Sequence, residues 1–596
     1  MNFLETIFGS LERAQERVVL REIRGGEFVS VTGRELLGMI GEARSSLARR
    51  GMRRGDRCAL LGHNSIRWVA LDLAIMAEGL IVVPLYARQA PGELVVRMKD
   101  CSPVLICCGD AELREAIAVN WAEAPPQLVF DEIFASRADV QGGMQRSDSE
   151  AVTIIYTSGT SGEAKGVVLT AGNIGHMLGC TSGRLDVLNE VARGENQKAL
   201  TTKDTKGHEG KTSLLSNEGT KGGERRPDRV FHYLPFCFAG SWIMLLTCLQ
   251  RGSLLTLSTD LSTLAADLRR AEPDYFLNVP ALLERMRKAV DEQLWKTGGV
   301  IQHIYARAKV AWGTSGVRLP APGDRLEAEG DRTGHVGLGD RFYLWAAKMM
   351  VFPTIRKKMI GENLKALICG SAPLNVETQL YFMMLGIPVL QVYGLTETTA
   401  ICTMDDPRRV EPGWVGPAIE GVEMRLGEND EIVVRGANIF RGYWNRAEET
   451  AKVLRDGWFH TGDQGEVNAA GNWRIVGRIK NLIILGSGHN VAPEPIEEKI
   501  LHELVDAQQA VLVGNGRGYL CAIITGPVTR EQAQRAVDAV NAELPHYKQV
   551  RGFHVREEPF SIENRMLTAN GKLKRDVIYQ QMQTEIEELY AQKQAS

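Results

Sequence analysis

The sequence lacks any apolar stretch long enough to cross a membrane. Its longest apolar run, Trp68 to Tyr86, is broken by Asp72, Glu78 and Pro84, and reads as a buried helix followed by a strand. A basic n-region is also missing: Met1-Asn2-Phe3-Leu4-Glu5 carries an acid there, so no secretory signal is expected. No CxxC pair occurs. The ten cysteines are scattered, and the adjacent Cys107-Cys108 sit in an apolar, strand-like segment, so they read as core thiols rather than a disulfide. A reducing, cytoplasmic setting fits best, with peripheral membrane contact left open. There is no dominant charge of one sign. A net charge of -3 gives the chain as a whole no pull toward nucleic acid.

What is present is the make-up of a globular chain, 44% hydrophobic and 24% charged. At 596 residues it exceeds one ordinary core, so two or more domains are expected. Short Val/Ile/Leu-rich strands alternate with helices: a helix from Glu35 to Arg50 ending near Gly51, the strand Cys58 to Leu61, a helix from Ile66 to Glu78, and the strand Ile81 to Val83. Such alternation predicts an α/β fold with mixed sheets flanked by helices. The stretch from about Gly194 to Arg229 has no aromatics and is dominated by Lys, Thr, Gly and Glu, with a degenerate repeat. It reads as a disordered surface insertion without chemistry. From Gly298 to Lys358 a mostly helical stretch is broken by a Gly/Pro/Asp-rich middle. The character changes again near Gly477, which predicts a division into a large part, 1–479, and a small C-terminal part, 480–596.

Five blocks carry chemistry. The first is Thr157-Ser158-Gly159-Thr160-Ser161-Gly162-Glu163-Ala164-Lys165-Gly166, set between two apolar runs. Glycine lets backbone N–H groups turn toward an anion, hydroxyls add neutral donors, and Lys165 adds a mobile charge. Such a loop suits a polyphosphate, although its spacing is neither that of a Walker A loop nor G-x-G-x-x-G. The second block is Gln391-Val392-Tyr393-Gly394-Leu395-Thr396-Glu397-Thr398-Thr399, behind an apolar strand from Ile387 to Leu390. Tyr393 could stack on a purine, Thr396 could donate to a phosphate, and Glu397 could hold Mg²⁺, a hard ion that prefers oxygen ligands. Alone, that block would read as a strand followed by a helix N-cap. The third, Gly457 to Asp463, puts Asp463 on a tight turn where it could accept from both hydroxyls of a ribose. The fourth is Gly477-Arg478-Ile479-Lys480-Asn481 with Gly486-Ser487-Gly488 behind it, and the fifth runs from Thr568 to Arg575 and contains Lys572.

Taken together and in this order, the five blocks resemble the AMP-forming acyl-CoA synthetases of the adenylate-forming (ANL) superfamily. The resemblance covers nearly the whole chain, from Gly55-Asp56 and Asn64-Ser65 to Arg575. The helical stretch between Pro280-Ala281-Leu282-Leu283 and Gly370-Ser371-Ala372-Pro373-Leu374, and Val491-Ala492-Pro493-Glu494-Pro495-Ile496-Glu497, are similar to the long-chain fatty-acid branch. The resemblance implies an ANL-type fold with a small mobile α+β C-terminal domain hinged at Lys480. It implies a ligase that activates a long-chain fatty acid with ATP and Mg²⁺ to an acyl-adenylate and passes the acyl group to CoA. Thr157 to Gly162 and Lys165 would then cradle the β/γ-phosphates. Gly370, Ser371, Ala372 and Tyr393, with Gly394 behind it, would surround the adenine. Thr396 would touch the α-phosphate, Glu397 the metal, and Asp463 the ribose with Arg478 beside it. Lys572 would contact the carboxylate during adenylation, and Gly486 and Gly488 would line the pantetheine channel.

Departures from the family pattern are Asn481, where Asp is frequent, and Phe238 in Leu234-Pro235-Phe236-Cys237-Phe238, where a His is common at the acyl gate. Two alternatives remain. One is a fatty acyl-AMP ligase delivering to a carrier protein. The other is a nucleotide-binding pseudoenzyme, which would be expected to lack Lys572, Glu397 or Lys165, all of which are present.

Overall fold

A computed structural model describes residues 2–135, 146–157, 164–204, 226–314, 338–504, 506–568 and 571–591. The chain packs as two units, residues 1–423 with 435–452, and residues 424–434 with 453–596. The position expected for the boundary, 479/480, lies inside the second unit, just past the strand Trp473–Arg478.

The first unit is built on two sheets. One has seven strands in the order Gly442–Tyr443, Lys165–Thr170, Ala151–Thr157, Ile81–Leu85, Arg57–Leu61, Leu105–Cys108, Gln127–Val129. Its centre is parallel: Arg57–Leu61 pairs in parallel with both Ile81–Leu85 and Leu105–Cys108. Parallel strands covered by helices are apolar on both faces, which is why these segments read as near-continuous Val/Ile/Leu/Cys runs. Cys107 and Cys108 are fully buried there as free thiols. The helix Ile66–Ala77 starts at Ser65, whose side chain accepts from Trp68 N, and only Arg67 of its twelve residues escapes burial. The expected buried helix followed by a strand is what forms.

The other sheet has eight strands, in the order Thr403–Met404, Val389–Tyr393, Ala366–Cys369, Tyr275–Asn278, Arg229–His232, Leu254–Leu257, Val18–Arg24, Glu27–Thr32. Its interior is parallel and both edges are antiparallel. The strand leading into the second block begins two residues later than expected and runs on to Tyr393. In parallel α/β sheets ligands collect at the carboxyl ends of strands. Here those ends deliver Gly370 to Pro373 and Gly394 to Thr398.

The helix Ala171–Asp204 reaches into the segment expected to be an insertion. Helix continues ten residues past Gly194, because Glu195, Gln197, Lys198, Ala199 and Leu200 are good helix formers even without aromatics. The remainder of the expected segment up to residue 225 lies outside the described residues, as does 315–337 in the helical stretch. The described parts of that stretch are helices Pro280–Thr297, Gly299–Thr314, Leu338–Ala346 and Phe352–Met359, the last two joined by a π turn at Ala347–Val351. Among the described residues no helix is long and apolar enough to cross a membrane.

The second unit holds a sheet formed by Val422–Leu426, Glu431–Gly436, Trp458–Val467, Leu454–Arg455 and Trp473–Arg478, and a three-stranded sheet of Gln509–Val513, Leu520–Thr525 and Val550–Arg556. Helices Glu494–Glu503 and Arg530–Glu543 pack on one face of the latter, and helices Arg575–Gln581 and Gln583–Ala591 on the other. This is the expected α+β arrangement. A buried bidentate pair ties it together: the Arg575 guanidinium donates to both Glu497 oxygens at 2.7 and 2.6 Å, and Leu512 N donates to Oε1 at 2.6 Å. Ions buried this deeply persist only when paired and hydrogen-bonded.

Candidate functional site

In the first unit the second block leaves the sheet through a tight reversal. Cys402 N donates back to Tyr393 O at 2.7 Å and Ala400 N to Leu395 O at 2.9 Å. A Cβ on Gly394 would lie 2.3 Å from the Ala400 carbonyl oxygen, so only glycine fits. Thr399 and Ala400 are held at positive φ, 51° and 83°. Thr396 to Thr398 form a single 3-10 turn rather than the start of a helix, with the Thr398 hydroxyl accepting from Leu395 N at 2.9 Å. The neighbouring strand end is equally constrained. A Cβ on Gly370 would meet Val392 Cγ2 at 2.7 Å, and Ser371, at φ 73°, occupies the left-handed region as a non-glycine residue. Such conformations cost of order 1–3 kcal/mol and cluster at ligand sites. Ser371 and Ala372 are exposed, and Tyr393, Gly394 and Thr396 are half-buried beside them.

Glu397 is buried, and the Tyr443 hydroxyl donates to its Oε1 at 2.9 Å. Phe440 N donates to the Glu397 carbonyl at 2.8 Å, and the Phe440 and Tyr443 rings pack with centroids 4.9 Å apart. Tyr443 belongs to the short strand that pairs with Lys165–Thr170, where Tyr443 sits opposite Val167. Through it the first and second blocks come together. Lys165 Nζ stands 5.2 Å from the Tyr443 ring centroid and 2.6 Å from Glu449 Oε2. The hydrogen bond from Lys165, with that from Lys452, holds the Glu449 carboxyl down at about 2. Asn438 anchors the loop from behind, its Nδ2 donating to Ile401 O at 3.0 Å while its carbonyl accepts the Thr399 hydroxyl at 2.7 Å. Thr157 faces Lys165 across the strand pair, and Ser158, Gly159, Thr160, Ser161 and Gly162 lie outside the described residues.

The Glu397 carboxylate suits Mg²⁺. No three His, Cys, Asp or Glu side chains converge among the described residues, and Mg²⁺ shared with phosphates needs only one or two protein carboxylates.

The aromatic segment is braced from the other sheet of the same unit. Asn64 Nδ2 donates to Leu234 O at 2.8 Å and its Oδ1 accepts from Phe236 N at 3.0 Å. His232 Nε2 donates to the same carbonyl at 2.8 Å, and its ring stacks on Phe236 at 4.9 Å. Burial pushes His232 down to about 4, so it is neutral. Phe238 caps the helix Ala239–Arg251 and lies 5.8 Å from the Tyr86 ring.

In the second unit Asp463 and Arg478 are direct cross-strand partners, with Arg478 Nε 2.7 Å from Asp463 Oδ1. The Asp463 carboxylate is buried, and the turn before it is fixed by Glu431, which accepts from Gly462 N at 2.9 Å and pairs with His460 at 2.7 Å. Lys480 lies on the 3-10 turn Ile479–Asn481 and is exposed. Asn481 donates to Glu494 Oε1 at 2.6 Å. Gly486 N donates to Arg517 O at 2.7 Å, and Gly488 adopts φ 83° in an exposed turn. Lys572 is exposed on a turn closed by Thr568, whose hydroxyl accepts from Lys572 N at 3.0 Å.

Sequence reasoning did not single out Tyr443, Glu449 or Asn438. The available signal was Arg441-Gly442-Tyr443-Trp444 followed by Glu448-Glu449, an aromatic and an acid beside a glycine.

Comparison with known proteins identifies the family. The family model for AMP-binding enzymes matches residues 9–444, and that for the AMP-binding enzyme C-terminal domain matches 480–594. A long-chain-fatty-acid–CoA ligase of Mycobacterium bovis, FadD15, is 24% identical over 96% of this chain and 94% of its own length. Long chain acyl-CoA synthetase 3 of Arabidopsis thaliana is 24% identical over 98% of this chain and 90% of its own. Among solved structures, an anthranilate CoA ligase with anthranoyl-AMP aligns with a TM-score of 0.70 at 18% identity, covering 97% of both chains. The O-succinylbenzoate coenzyme A synthetase of Bacillus subtilis with AMP aligns with a TM-score of 0.68 at 19% identity, covering 96% of this chain and 97% of that one.

Proposed function

The chain belongs to the AMP-binding enzyme family, and on that premise we propose that it is a long-chain fatty acid–CoA ligase forming a carbon–sulfur bond, with ATP, Mg²⁺ and CoA as its other reactants. The observation that carries the ligase reading is the cluster of Lys165, Tyr443 and Glu397 at the strand ends of the first unit. The long-chain reading draws its support from relatives with that printed activity that align over nearly all of both chains.

The reaction explains why these residue types recur. A carboxylate is a poor acylating agent because its leaving group would be oxide, whereas AMP leaves readily. Forming the adenylate drives an anion onto a polyphosphate, so cations must offset the repulsion. One well-placed charge at about 4 Å is worth roughly 4 kcal/mol at an effective dielectric near 20. Lys165 would supply that charge to the β/γ-phosphates, exchanging Glu449 for phosphate oxygens. Bound Mg²⁺ would supply further neutralisation, held by Glu397, whose oxygen the Tyr443 hydroxyl orients. Gly370, Ser371, Ala372, Tyr393 and Gly394 would take the adenine, and Thr396 the α-phosphate.

In the second unit Asp463, oriented by Arg478, would accept the ribose hydroxyls. Lys572 would meet the acyl carboxylate. Lys480 would act as the hinge of a mobile 480–596 domain, and Gly486 and Gly488 would admit pantetheine. Phe238 would gate the acyl chain.

The test is CoA-dependent AMP release by purified protein with Mg·ATP and saturated acids from acetate to stearate. Thioester with the long acids supports the reading. Adenylate without thioester replaces it with an acyl-AMP ligase, and no pyrophosphate release with any acid refutes it.

A further inference from the structure

Lys165 and Tyr443 lie on stretches of the first unit far apart in sequence, and their meeting depends on how those stretches are held. The strand pairing between them is short, with Gly442 opposite Val168 and Tyr443 opposite Val167. A carboxylate from a third element joins them. Asp100 is the next-to-last residue of the helix Pro91–Cys101, and its side chain is 15% exposed. Its Oδ2 accepts from the Tyr156 hydroxyl at 2.6 Å, and its Oδ1 pairs with Arg446 Nη2 at 2.9 Å. Each stretch thus engages one of the two oxygens. The carbonyl end of a helix carries partial negative charge, so an aspartate in the last turn is disfavoured there unless cations offset it. Arg446 does so, and Arg57 covers the last carbonyls, its Nε donating to Cys101 O at 3.0 Å and its Nη2 to Ser102 O at 2.8 Å.

Both partners lead to the polyphosphate block by short routes. Tyr156 sits opposite Gly166, and the next residue, Thr157, opposite Lys165. A Cβ on Gly166 would lie 3.2 Å from Tyr156 Cζ and 3.4 Å from Trp444 Cβ, so the glycine that ends the block leaves room for the ring. Burial raises the Tyr156 phenol well above its ordinary value, and it remains a donor. Arg446 opens the other route. Its N donates to Tyr443 O at 3.3 Å, and its carbonyl accepts from Thr450 N at 2.9 Å, at the start of the helix Ala447–Val453 that carries Glu449. The Thr450 hydroxyl donates to the same carbonyl at 2.8 Å and accepts from Tyr443 N at 2.9 Å. The place of Arg446 therefore sets both Tyr443, whose hydroxyl holds Glu397, and Glu449, whose carboxylate holds Lys165. Trp444 N joins the two routes by donating to Gly166 O at 2.7 Å.

We propose that Asp100 is a positioning residue for the polyphosphate: through Tyr156 and Arg446 it fixes the strand end that carries Lys165 against the loop that carries Tyr443 and Glu449. The proposal rests on Lys165 and Glu397 serving the β/γ-phosphates and Mg²⁺, as the proposed ligase function has them. Asp100 itself meets no reactant. Its effect is to hold the charge of Lys165 and the oxygen of Glu397 where the phosphates need them, and small losses of such order weaken binding and rate together.

The test measures the affinity of the full chain for Mg·ATP and for AMP, by equilibrium binding without acid or CoA. Only ATP carries the β/γ-phosphates, so loosening this clamp should weaken ATP and spare AMP. Asp100→Asn keeps the volume and one acceptor but removes the charge, and should raise the Kd for Mg·ATP about tenfold or more with the Kd for AMP unchanged. Tyr156→Phe keeps the ring beside Gly166 and removes only the hydroxyl, and should act in the same direction by a smaller factor. In the pyrophosphate-releasing half-reaction both variants should raise KM for Mg·ATP. Thioester formation from preformed acyl-adenylate needs no β/γ-phosphates and should proceed at the unaltered rate. The same Kd for Mg·ATP in both variants as in the unaltered protein would overturn the proposal. So would a parallel loss of ATP and AMP binding, the mark of a contact that only supports the fold. If the unaltered protein binds neither nucleotide, the phosphate role of Lys165 falls, and that of Asp100 with it.

Discussion

Removing one hydroxyl, by Tyr443→Phe, tests whether the Glu397 carboxylate is held in place for its partner. The phenol donates to Glu397 Oε1 at 2.9 Å, and Glu397 is buried. A hydrogen bond to a charged group contributes about 1.5–3 kcal/mol when its partner would otherwise be left short of a donor. If the bond orients the oxygen that meets Mg²⁺, kcat/KM for Mg·ATP in the pyrophosphate-releasing half-reaction should fall roughly 10- to 150-fold. The phenylalanine ring keeps the packing on Phe440 at 4.9 Å, so thermal stability should change little. Two further readouts separate orientation from general damage. The apparent affinity for Mg²⁺ should weaken alongside kcat/KM, and the CoA half-reaction from preformed acyl-adenylate should be nearly unaffected. An unchanged kcat/KM with a stably folded Tyr443→Phe protein would refute the assignment of this pair to the site.

Lys572→Ala should abolish adenylation while leaving thioester formation from added acyl-adenylate largely intact, followed by AMP and thioester chromatography. Gly394→Ala should lower the melting temperature and nearly abolish nucleotide binding, because its Cβ meets backbone at 2.3 Å and the loop must open. Asp72 is fully buried with Trp242 Nε1 donating to it at 2.9 Å, and burial pushes it up to about 7 from an ordinary 3.8. Its folded pKa is the higher one, so between about pH 4 and 7 the native state binds the extra proton and stability falls as pH rises through that window. The full effect is of order 4 kcal/mol. Urea titrations at pH 5 and pH 8 should therefore differ less for Asp72→Asn than for the unaltered protein, and an equal difference would contradict this.

Much of this was legible in the sequence because adenylate chemistry uses residue types that sit next to one another. The strand-to-turn transitions at Cys369–Gly370 and Tyr393–Gly394 announce themselves through apolar runs ending in glycine and hydroxyls. The glycine demanded by the Ala400 carbonyl is visible as a glycine, although the reversal that demands it is not. Tyr443 and Glu449 were not legible, since their roles arise from a strand pairing with Lys165–Thr170 across more than half of the first unit's sequence. Asp72 was visible as a break in an apolar run, but its partner, Trp242, lies on a helix far along the chain. The helix that runs on to Asp204 was not legible because the absence of aromatics signals a missing core, whereas helix propensity operates without one.

The most direct measurement is product analysis of the purified protein with Mg·ATP, palmitate and CoA, run beside the same mixture without CoA. The account predicts AMP, pyrophosphate and palmitoyl-CoA in equal amounts with CoA, and little turnover without it. Absence of pyrophosphate under both conditions, across acids from acetate to stearate, would contradict it.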